Sequence, residues 1–408
     1  MRPVHRSLFV ACCITLAAAP ASSAPPAGPP TQVWIDVATH SMAGMPDMGA
    51  MGGLASRMMG GGAMQAHYGQ TRMPAMPGQY LDIALHNRLN PGKEAQQLVP
   101  AGLKLGKTLP LVPPVRKGEP VDHAGEYKPP EGQARLLIYW GCGDTVRKGQ
   151  PRVITLSASG GKVEVSGSMQ GRYAPDRTID PDRAYALWPN PKSGKRVPDG
   201  ASLQGAHQVT GAGVPESLKF ELKQVADFMP RVSLQSSGTL ADGQTWRWSP
   251  VDRAQAYFLH AIGAKGKDVV LWSSAEVPDV GMGIVDYLGG SLIERWLKEK
   301  VLLPASATQC AIPKGIFADA GEGSEGGGGL LSIIAYGPES HIAWPPKPAD
   351  PKQPWNPEWN VRVRTKSTGG AMLGMDLSQL QDMEAPDEQK PQEENKPLRR
   401  LLQGIIGG

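Results

Sequence analysis

Cysteine is scarce in this chain, with four among 408 residues. Cys12 and Cys13 lie in an apolar N-terminal stretch, and the other two, Cys142 and Cys310, stand far apart in the sequence. No pair of CxxC motifs is present, which excludes the common four-cysteine zinc sites. Cys142 and Cys310 form either a disulfide bond or two separate buried thiols, and the sequence leaves both alternatives open. A nucleophilic Cys142 is disfavoured, because bridging or buried cysteines are far commoner.

Long apolar runs are also missing, except at the N-terminus. Arg2 and Arg6 precede an apolar stretch at residues 7–19, and small residues lead up to Ala24. This pattern predicts a signal peptide over residues 1–24 and export to the periplasm or the extracellular space. No later run approaches the roughly 20 apolar residues that a membrane-spanning helix needs. We therefore expect no transmembrane segment after the signal peptide.

Charge of one sign and enzyme motifs are lacking as well. The 42 basic and 38 acidic residues give a net charge of +4, which is too small and too evenly spread for a nucleic-acid surface. There is no GxSxG, no HExxH and no SxxK with suitable partners. Gly106, Lys107 and Thr108 resemble the end of a phosphate-binding loop. However, Ala101 replaces its first glycine and Pro110 blocks the helix that should follow. These absences favour a protein that is not an enzyme and binds no nucleotide.

Proline and glycine are abundant instead, with 39 and 50 residues, and short strand-like runs recur between them. Residues 31–39, 79–86 and 134–140 are rich in β-branched and aromatic side chains, which predicts three strands of one sheet. Residues 89–133, between the second and third runs, hold many prolines and lysines. That composition predicts an extended surface connection.

Further strand patterns complete the first half of the chain. Residues 152–156 and 162–166 predict a hairpin around a Ser-Gly-Gly turn. Residues 217–225 alternate apolar and charged positions, as a half-buried strand does. We therefore predict a mainly β fold in which residues 25–230 form an N-terminal antiparallel sheet domain.

The second half carries a more specific pattern. Residues 244–257 read QTWRWSPVDRAQAY and are followed by another strand-like run. A strand with alternating tryptophans, Ser-Pro-Val, a short turn and Ala-x-Ala-Tyr resembles the B–C region of fibronectin type III domains. The resemblance covers about residues 231–366 and implies a two-sheet β-sandwich in which Trp248 and Tyr257 fill the space between the sheets. We assign residues 231–367 to this second domain.

Two segments depart from such a sandwich. Residues 291–300 predict a helix, because Ser291 and Glu294 have the spacing of a capping box and an apolar stripe follows them. Residues 368–408 predict a flexible tail that is acidic in part and ends in a short amphipathic piece at residues 397–406. That piece either packs on its own domain, docks on a partner or contacts a membrane weakly.

Methionine is concentrated in residues 42–78, which hold nine of the sixteen methionines among many glycines. Four of them recur every third residue and follow a histidine: Met42, Met45, Met48, Met51 and His40. Thioethers are soft, neutral ligands that favour Cu(I), and imidazole can join them. The segment resembles the Met-rich segments of some exported bacterial copper-handling proteins, which implies a Cu(I) site at these residues. The alternative is an insertion between the first two strands whose methionines act as apolar filler.

The sequence thus predicts an exported β-sandwich protein that acts, without catalysis, as a binding or structural module for a protein or envelope partner. The alternative is a Cu(I)-binding accessory protein that uses the Met-rich segment, with copper as its one candidate cofactor. Cys- and His-rich signatures of blue-copper and multicopper oxidase sites are absent, which argues against a redox enzyme. A hydrolase whose residues meet only in the fold is a third hypothesis without a motif behind it.

Overall fold

The computed structural model describes residues 28–44, 65–72, 76–114, 132–159, 162–168, 171–175, 179–317 and 329–374. The predicted signal peptide, most of the methionine-rich segment and the tail beyond residue 374 lie outside these ranges. Strands account for 46% of the structure and helices for 5%, which confirms the mainly β fold class. No helix within the described ranges is long and apolar enough to cross a membrane.

The described ranges contain eighteen strands and three short helical segments. The first ten strands are β1 (Thr31–Met42), β2 (Gly78–Asn87), β3 (Ala95–Leu98), β4 (Thr108–Leu111), β5 (Gly132–Trp140), β6 (Arg152–Ser159), β7 (Lys162–Ser166), β8 (Tyr185–Trp188), β9 (Gly205–Gly211) and β10 (Lys219–Leu222). The other eight are β11 (Leu234–Thr239), β12 (Gly243–Trp248), β13 (Ala256–Lys265), β14 (Asp268–Ser273), β15 (Leu303–Pro304), β16 (Gln309–Ile312), β17 (Leu330–Trp344) and β18 (Trp359–Met372). The helical segments are the α-helix α1 (Gly290–Lys298) and two 3-10 helices, Ala101–Leu103 and Gln224–Ala226.

Eleven strands form one large sheet. Its order is β7-β6-β5-β14-β13-β17-β18-β1-β2-β8, and β15 pairs with β13. The β1–β18 and β5–β14 pairs are parallel, and the other neighbours in this order are antiparallel. In the first parallel pair, Thr31 lies opposite Trp359 and Met42 lies opposite Gly370. The two ends of the described chain therefore meet inside the sheet.

Two smaller sheets cover one face of the large sheet. The four-stranded sheet β10-β9-β3-β4 packs over β1, β2, β8 and the first part of β18. The three-stranded sheet β11-β12-β16 packs over β13, β14 and part of β17. Each pair of layers encloses its own apolar core, with Ile35 and Trp188 fully buried in the first and Trp246 and Tyr257 in the second. Burial of one large apolar side chain stabilises a fold by roughly 1.5–3 kcal/mol.

The second core contains the aromatic pair that the sequence singled out. Trp248 and Tyr257 are 3% and 0% exposed, and their ring centroids lie 5.5 Å apart. The Tyr257 hydroxyl accepts a hydrogen bond of 2.8 Å from the Val251 N–H, so its polar end is satisfied inside the core. The prediction that both rings fill the space between two sheets is confirmed.

A disulfide bond joins Cys142 and Cys310, whose Cα atoms lie 5.1 Å apart. Cys142 follows β5 of the large sheet, and Cys310 lies in β16 of the three-stranded sheet. The bond therefore links the two layers of the second core across 168 residues of sequence. Of the two alternatives for these cysteines, the disulfide is present, and Cys142 has no free thiol to act as a nucleophile.

The strands predicted near the N-terminus are confirmed as β1, β2 and β5 of a single sheet. Four strands stand between β5 and β1 in that sheet, whereas β1 and β2 are direct neighbours. The predicted hairpin is the antiparallel pair β6–β7. The predicted boundary near residue 230 falls between secondary-structure elements, but strands from residues 25–230 and from residues 231–367 share the large sheet.

The prediction of an extended surface connection at residues 89–133 was wrong for its first half. β3, the first 3-10 helix and β4 lie there, and they bury Leu103, Leu109 and Leu111 in the first core. Strands β3 and β4 have four residues each, which is too short for a clear period-two pattern among prolines and lysines.

The predicted helix exists as α1, but its predicted capping box does not. The N-cap residue is Gly289 without a side-chain hydrogen bond, so Ser291 lies inside the first turn. Ile293 and Trp296 are buried in a cluster with Phe258 of β13. The helix therefore packs on the face of the large sheet opposite the smaller sheets, and not on its edge as expected.

The prediction of a flexible tail from residue 368 was wrong for its first residues. β18 continues to Met372, because β17 pairs with it on one side up to that residue and β1 pairs on the other up to Gly370. Residues 368–372 are therefore part of the sheet. The amphipathic piece at residues 397–406 lies outside the described residues.

Candidate functional site

A cavity of about 390 Å³ lies on the face of the large sheet that the two smaller sheets leave uncovered. Its floor comes from β1, β13, β17 and β18, and its walls come from the loops before β2 and before α1. Most of the surface of the lining is apolar, and the apolar side chains belong to Met42, Met76, Pro77, Met282, Val285, Leu330 and Ile334. The polar residues of the lining are His40, Ser41, Arg72, His260, Ser332, Lys366 and Thr368. Small-molecule sites typically have volumes of roughly 300–1,000 Å³.

Strand register brings distant residues together on this floor. His260 lies opposite Ser332, Ser332 lies opposite Gly370, and Gly370 lies opposite Met42. A Cβ atom at Gly370 would come within 2.9 Å of the Met42 sulfur. The glycine therefore makes room for the Met42 side chain to lie across β18 at the cavity.

His40 is a buried imidazole on this floor, with 2% of its surface exposed. Its Nδ1 atom lies 2.5 Å from the hydroxyl oxygen of Thr368, the residue opposite on β18. Nε2 is buried and makes no hydrogen bond of good geometry within the described residues, although the Gln70 backbone lies close enough to influence the ring. Burial and the positive charge of Lys366 hold the pKa of His40 well below its usual value, and the Gln70 backbone opposes them only in part. The ring is therefore neutral at neutral pH.

His260 is the second imidazole of the cavity. Burial lowers its pKa to about 4, so this ring is also neutral at neutral pH. It stacks on Phe258 with a centroid distance of 6.2 Å. Within the described part of the chain, its nitrogens make no hydrogen bond. Both imidazoles can thus offer a ring nitrogen to a bound molecule.

Lys366 is a lysine with only 1% of its surface exposed. Its Nζ atom lies 3.5 Å from Asp286 Oδ1 and 4.5 Å from the ring centroid of Tyr287. Burial lowers the pKa of Lys366, and the attraction of Asp286 and Asp36 compensates only in part. The lysine is a buried cation with weak hydrogen bonding at the cavity floor.

Asp286 interacts with two cations at once. Its Oδ2 accepts a 2.9 Å hydrogen bond from Arg72 Nε, while its Oδ1 accepts one of 2.8 Å from the Tyr287 N–H and faces Lys366. Burial raises the pKa of Asp286, but Lys366, the Tyr287 N–H, Arg72 and Arg364 together lower it below its usual value. One ionised carboxylate therefore serves both Arg72 and Lys366.

Asp36 and Arg364 form a separate buried pair beside this group. The guanidinium donates two hydrogen bonds to the carboxylate, with 2.7 Å between Nε and Oδ1. The same guanidinium lies 4.5 Å from the Tyr287 ring centroid. Burial lowers the pKa of Arg364, but Asp36 outweighs burial and the pKa is raised. This pair is saturated by its own contacts.

Asp82 of β2 fastens one wall of the cavity. It lies opposite Asp36, and its Oδ2 accepts hydrogen bonds from the Thr71 N–H at 3.1 Å and the Thr71 hydroxyl at 2.5 Å. Burial raises the pKa of Asp82 to about 7, although the Thr71 hydrogen bonds oppose the shift. Asp82 thereby fixes the position of Thr71, which directly precedes the cavity residue Arg72.

The structure brings two of the five predicted copper ligands to the cavity. His40 and Met42 lie on its floor, whereas Met45, Met48 and Met51 lie outside the described residues. The described ends of the Met-rich segment meet here, because Met76 at its far end also lines the cavity. Within the described ranges, no group of three or more His, Cys, Asp or Glu residues is arranged to hold a metal ion.

Several residues of the site gave no signal in the sequence. His260, Met282 and Lys366 come from the second half of the chain. His260 and Lys366 reach the cavity through strand pairing, and Met282 lies in the loop before α1. The fibronectin type III resemblance implied strands in residues 231–366, but it did not reveal that loops from both halves of the chain bury one face of the strand that carries Lys366.

The arrangement contains no evident nucleophile with its base. Ser332 lies opposite His260, but the two side chains share no hydrogen bond, and no carboxylate orients the imidazole within the described residues. The groups present can donate, accept and neutralise charge, which are the tasks of a binding site.

No family model matches the chain, and no match was found among curated proteins or solved structures.

Proposed function

We propose that this is an exported protein that binds a small, mainly apolar molecule in the cavity on the large sheet, without catalysis. The observation that carries the proposal is the cavity itself. The cavity has a volume of about 390 Å³ and a mostly apolar surface with some buried polar groups. Two of these groups are neutral imidazoles whose ring nitrogens are available to a ligand. Pockets of this kind are the usual sites for small ligands.

Export is part of the proposal. The N-terminal pattern of residues 1–24 and the disulfide between Cys142 and Cys310 both support it, because disulfides persist in oxidising compartments. Cell fractionation tests it. We expect the chain in the periplasm or the medium, and retention in the cytoplasm after deletion of residues 1–24. Cytoplasmic location of the intact chain would contradict export.

We further propose that residues 231–367 form a fibronectin type III-like sandwich. In chain order, the first, second and fifth of its seven main strands (β11, β12 and β16) form one sheet. The others (β13, β14, β17 and β18) lie side by side in the facing sheet. This division matches the A-B-E and C-F-G sheets of immunoglobulin-like sandwiches. The cavity then lies on the outer face of the C-F-G sheet, near the edge where β18 pairs with β1.

The ligand site can be tested with N-phenylnaphthylamine, a neutral dye that becomes fluorescent when it leaves water. We expect saturable binding to the mature protein. Ser332→Phe fills the cavity from its floor and Val285→Trp fills it from its wall, so each weakens binding about ten-fold or more. Val225→Trp, at a side chain that is 45% exposed outside the cavity, is the matched control and binds normally. Equal binding by all variants, or none by the wild type, would refute the proposed site.

A Cu(I)-binding accessory protein is the second candidate function. One observation favours it: His40, Met42 and Met76 line the same cavity, so both described ends of the Met-rich segment lie beside an imidazole. With the proton on Nδ1 donated to Thr368, His40 Nε2 has a free lone pair for a metal. Two thioethers and one imidazole are a ligand set suited to Cu(I).

Competition with a Cu(I) chelator tests this second function. If it holds, the wild type retains Cu(I), and the double variant with Met42→Leu and Met76→Leu retains less. Met372→Leu changes a methionine that is 41% exposed and does not line the cavity, and it serves as the control. A variant with Met45, Met48 and Met51 changed to leucine measures the contribution of the rest of the predicted site. Equal Cu(I) retention by all four proteins would exclude copper binding at these methionines.

A further inference from the structure

We propose that the molecule bound in the cavity is an amphipathic carboxylate, whose anionic group contacts Lys366 and whose apolar part fills the rest of the cavity. This inference rests on the proposed function, since it names the class of ligand that the same cavity accepts.

The first argument is the balance of charge around the floor. The ion pairs beneath the floor join three cations, Arg72, Arg364 and Lys366, to two carboxylates, Asp36 and Asp286. Asp36 is fully engaged by Arg364 through two hydrogen bonds. Asp286 is shared by Arg72 and Lys366, so one positive charge is left over at the cavity.

A further carboxylate, Asp82, removes this excess only in part. Within the described residues it bonds Thr71 and no cation, and with a pKa of about 7 it is about half protonated at neutral pH. Part of the surplus positive charge therefore remains at the cavity floor.

The second argument is the hydrogen bonding of Lys366. An ammonium group has three N–H donors. Within the described residues, the ammonium group of Lys366 donates one hydrogen bond, to Asp286 Oδ1 at the long distance of 3.5 Å. The side chain is 1% exposed, and a buried charge with so few partners is unfavourable. An anion in the cavity provides the missing acceptor and the missing negative charge.

A second donor lies beside the ammonium. When the Thr368 hydroxyl donates to His40 Nδ1, the imidazole proton lies on buried Nε2, which makes no hydrogen bond of good geometry and meets the Gln70 backbone as its one competing acceptor within the described residues. His40 is close enough to Lys366 for the lysine charge to lower the His40 pKa. An ammonium and an imidazole N–H together can bind the two oxygens of one carboxylate.

The remainder of the lining determines the rest of the ligand. Beyond the basic group the walls are formed by Met76, Met282, Val285, Leu330 and Ile334. A hydrophilic anion would leave this surface without a partner, and a cationic amphiphile would meet Lys366 and Arg72 unfavourably. Together these features select an aliphatic or aromatic acid of moderate size.

Octanoate, octanol and octylamine share an eight-carbon chain, and their polar ends are anionic, neutral and cationic at neutral pH, so they compare an anionic group with a neutral and a cationic one. Each is measured by isothermal titration against the mature protein at neutral pH, and by displacement of N-phenylnaphthylamine. We expect the affinity for octanoate to be at least about ten-fold higher than that for octanol. A charge-assisted hydrogen bond in a buried site contributes at least that factor. Octylamine should bind more weakly than octanol.

Three variants test which charge is responsible. In Lys366→Met the advantage of octanoate over octanol disappears while octanol binding remains. In Arg72→Gln the advantage of octanoate over octanol falls, because Asp286 is no longer shared with Arg72 and neutralises only Lys366. In Asp286→Asn it grows, because the competing carboxylate is gone. Lys219→Met, at an exposed lysine of β10, is the control and leaves the advantage unchanged.

The opposite effects of Arg72→Gln and Asp286→Asn keep the test decisive if Lys366→Met fails to fold. Octanol binding as tightly as octanoate would overturn the carboxylate inference and leave the cavity as an apolar binding site. Dye binding in the cavity without displacement by octanoate would overturn it as well. Absence of binding by the dye and all three octyl compounds would refute the proposed function itself.

Discussion

Asp36 of β1 and Arg364 of β18 lie opposite each other in a parallel strand pair and form a two-point ion pair across 328 residues of sequence. Their side chains are 9% and 4% exposed. The pair lies on the outer face of the large sheet, next to the group of charges beneath the cavity. It therefore joins β1 to β18 next to the place where the proposed ligand binds.

Removal of one partner of this pair should destabilise the fold strongly. Asp36→Ala leaves the Arg364 charge buried without compensation, which typically costs roughly 3–5 kcal/mol. Urea unfolding of the mature protein measures the loss. The double variant with Asp36→Leu and Arg364→Met should be considerably more stable than Asp36→Ala, because no unpaired charge remains. A surface pair, Arg135 with Asp268, is the control, and Asp268→Asn should have a much smaller effect. Similar losses in Asp36→Ala and Asp268→Asn would contradict the importance of the buried pair.

The disulfide should make a large contribution to stability. It closes a loop of 168 residues, and removal of a native disulfide typically costs about 2–5 kcal/mol. We expect the variant with Cys142→Ala and Cys310→Ala to unfold at clearly lower urea concentration than the wild type. Thiol titration of the denatured mature protein should find no free thiol before reduction. Two titratable thiols in the unreduced protein would show that the bond is absent.

Asp82 should make the stability depend on pH in an unusual direction. Its pKa is about 7 in the fold against an ordinary 3.8, so between these values the folded chain keeps a proton that the unfolded chain has lost. The contribution of Asp82 to the free energy of unfolding then decreases as pH rises from about 4 to about 7, by up to about 1.4 kcal/mol per pH unit. Above about pH 7 this contribution is constant. The measurement is the difference in unfolding free energy between the wild type and Asp82→Asn across this range. A difference that grows with pH would contradict the raised pKa.

His260 should remain neutral well below the pH at which a free imidazole titrates. Its pKa of about 4 predicts that its ring signals in an NMR titration stay constant down to about pH 5. The variant His260→Gln assigns those signals by their disappearance. Because the unfolded chain takes up a proton near pH 6.5 and the folded ring does not, this histidine stabilises the fold increasingly as pH rises from about 4 to about 6.5. Titration of the ring near pH 6.5 would show that the cavity floor is hydrated and not apolar.

Local patterns were sufficient for much of the fold. β-Branched and aromatic composition identified residues 31–39, 79–86 and 134–140 as strands, and the motif that resembles fibronectin type III domains identified Trp248 and Tyr257 as the aromatic pair of the second core. These features depend on neighbours in sequence, so a single chain reveals them. The order of strands did not follow, because β1 pairs with β18 through contacts between residues more than 300 positions apart.

The site was predictable only in part for the same reason. Glycine and methionine content drew attention to His40 and Met42, which do line the cavity. No pattern singled out Lys366, and its burial depends on the loops that carry Arg72 and Asp286. Such loops have no periodic pattern that would place them over a particular strand.

The most direct test of the binding site uses methionine methyl groups as reporters. Met42, Met76 and Met282 line the cavity, whereas Met229 is buried in the second core. Mature protein labelled with carbon-13 at the methionine methyls is titrated with N-phenylnaphthylamine and followed by NMR, with Met→Leu variants for assignment. We predict saturable shifts at Met42, Met76 and Met282 and none at Met229. Shifts confined to Met229 or to the methionines of residues 45–64, or no shifts, would contradict a ligand site in the cavity.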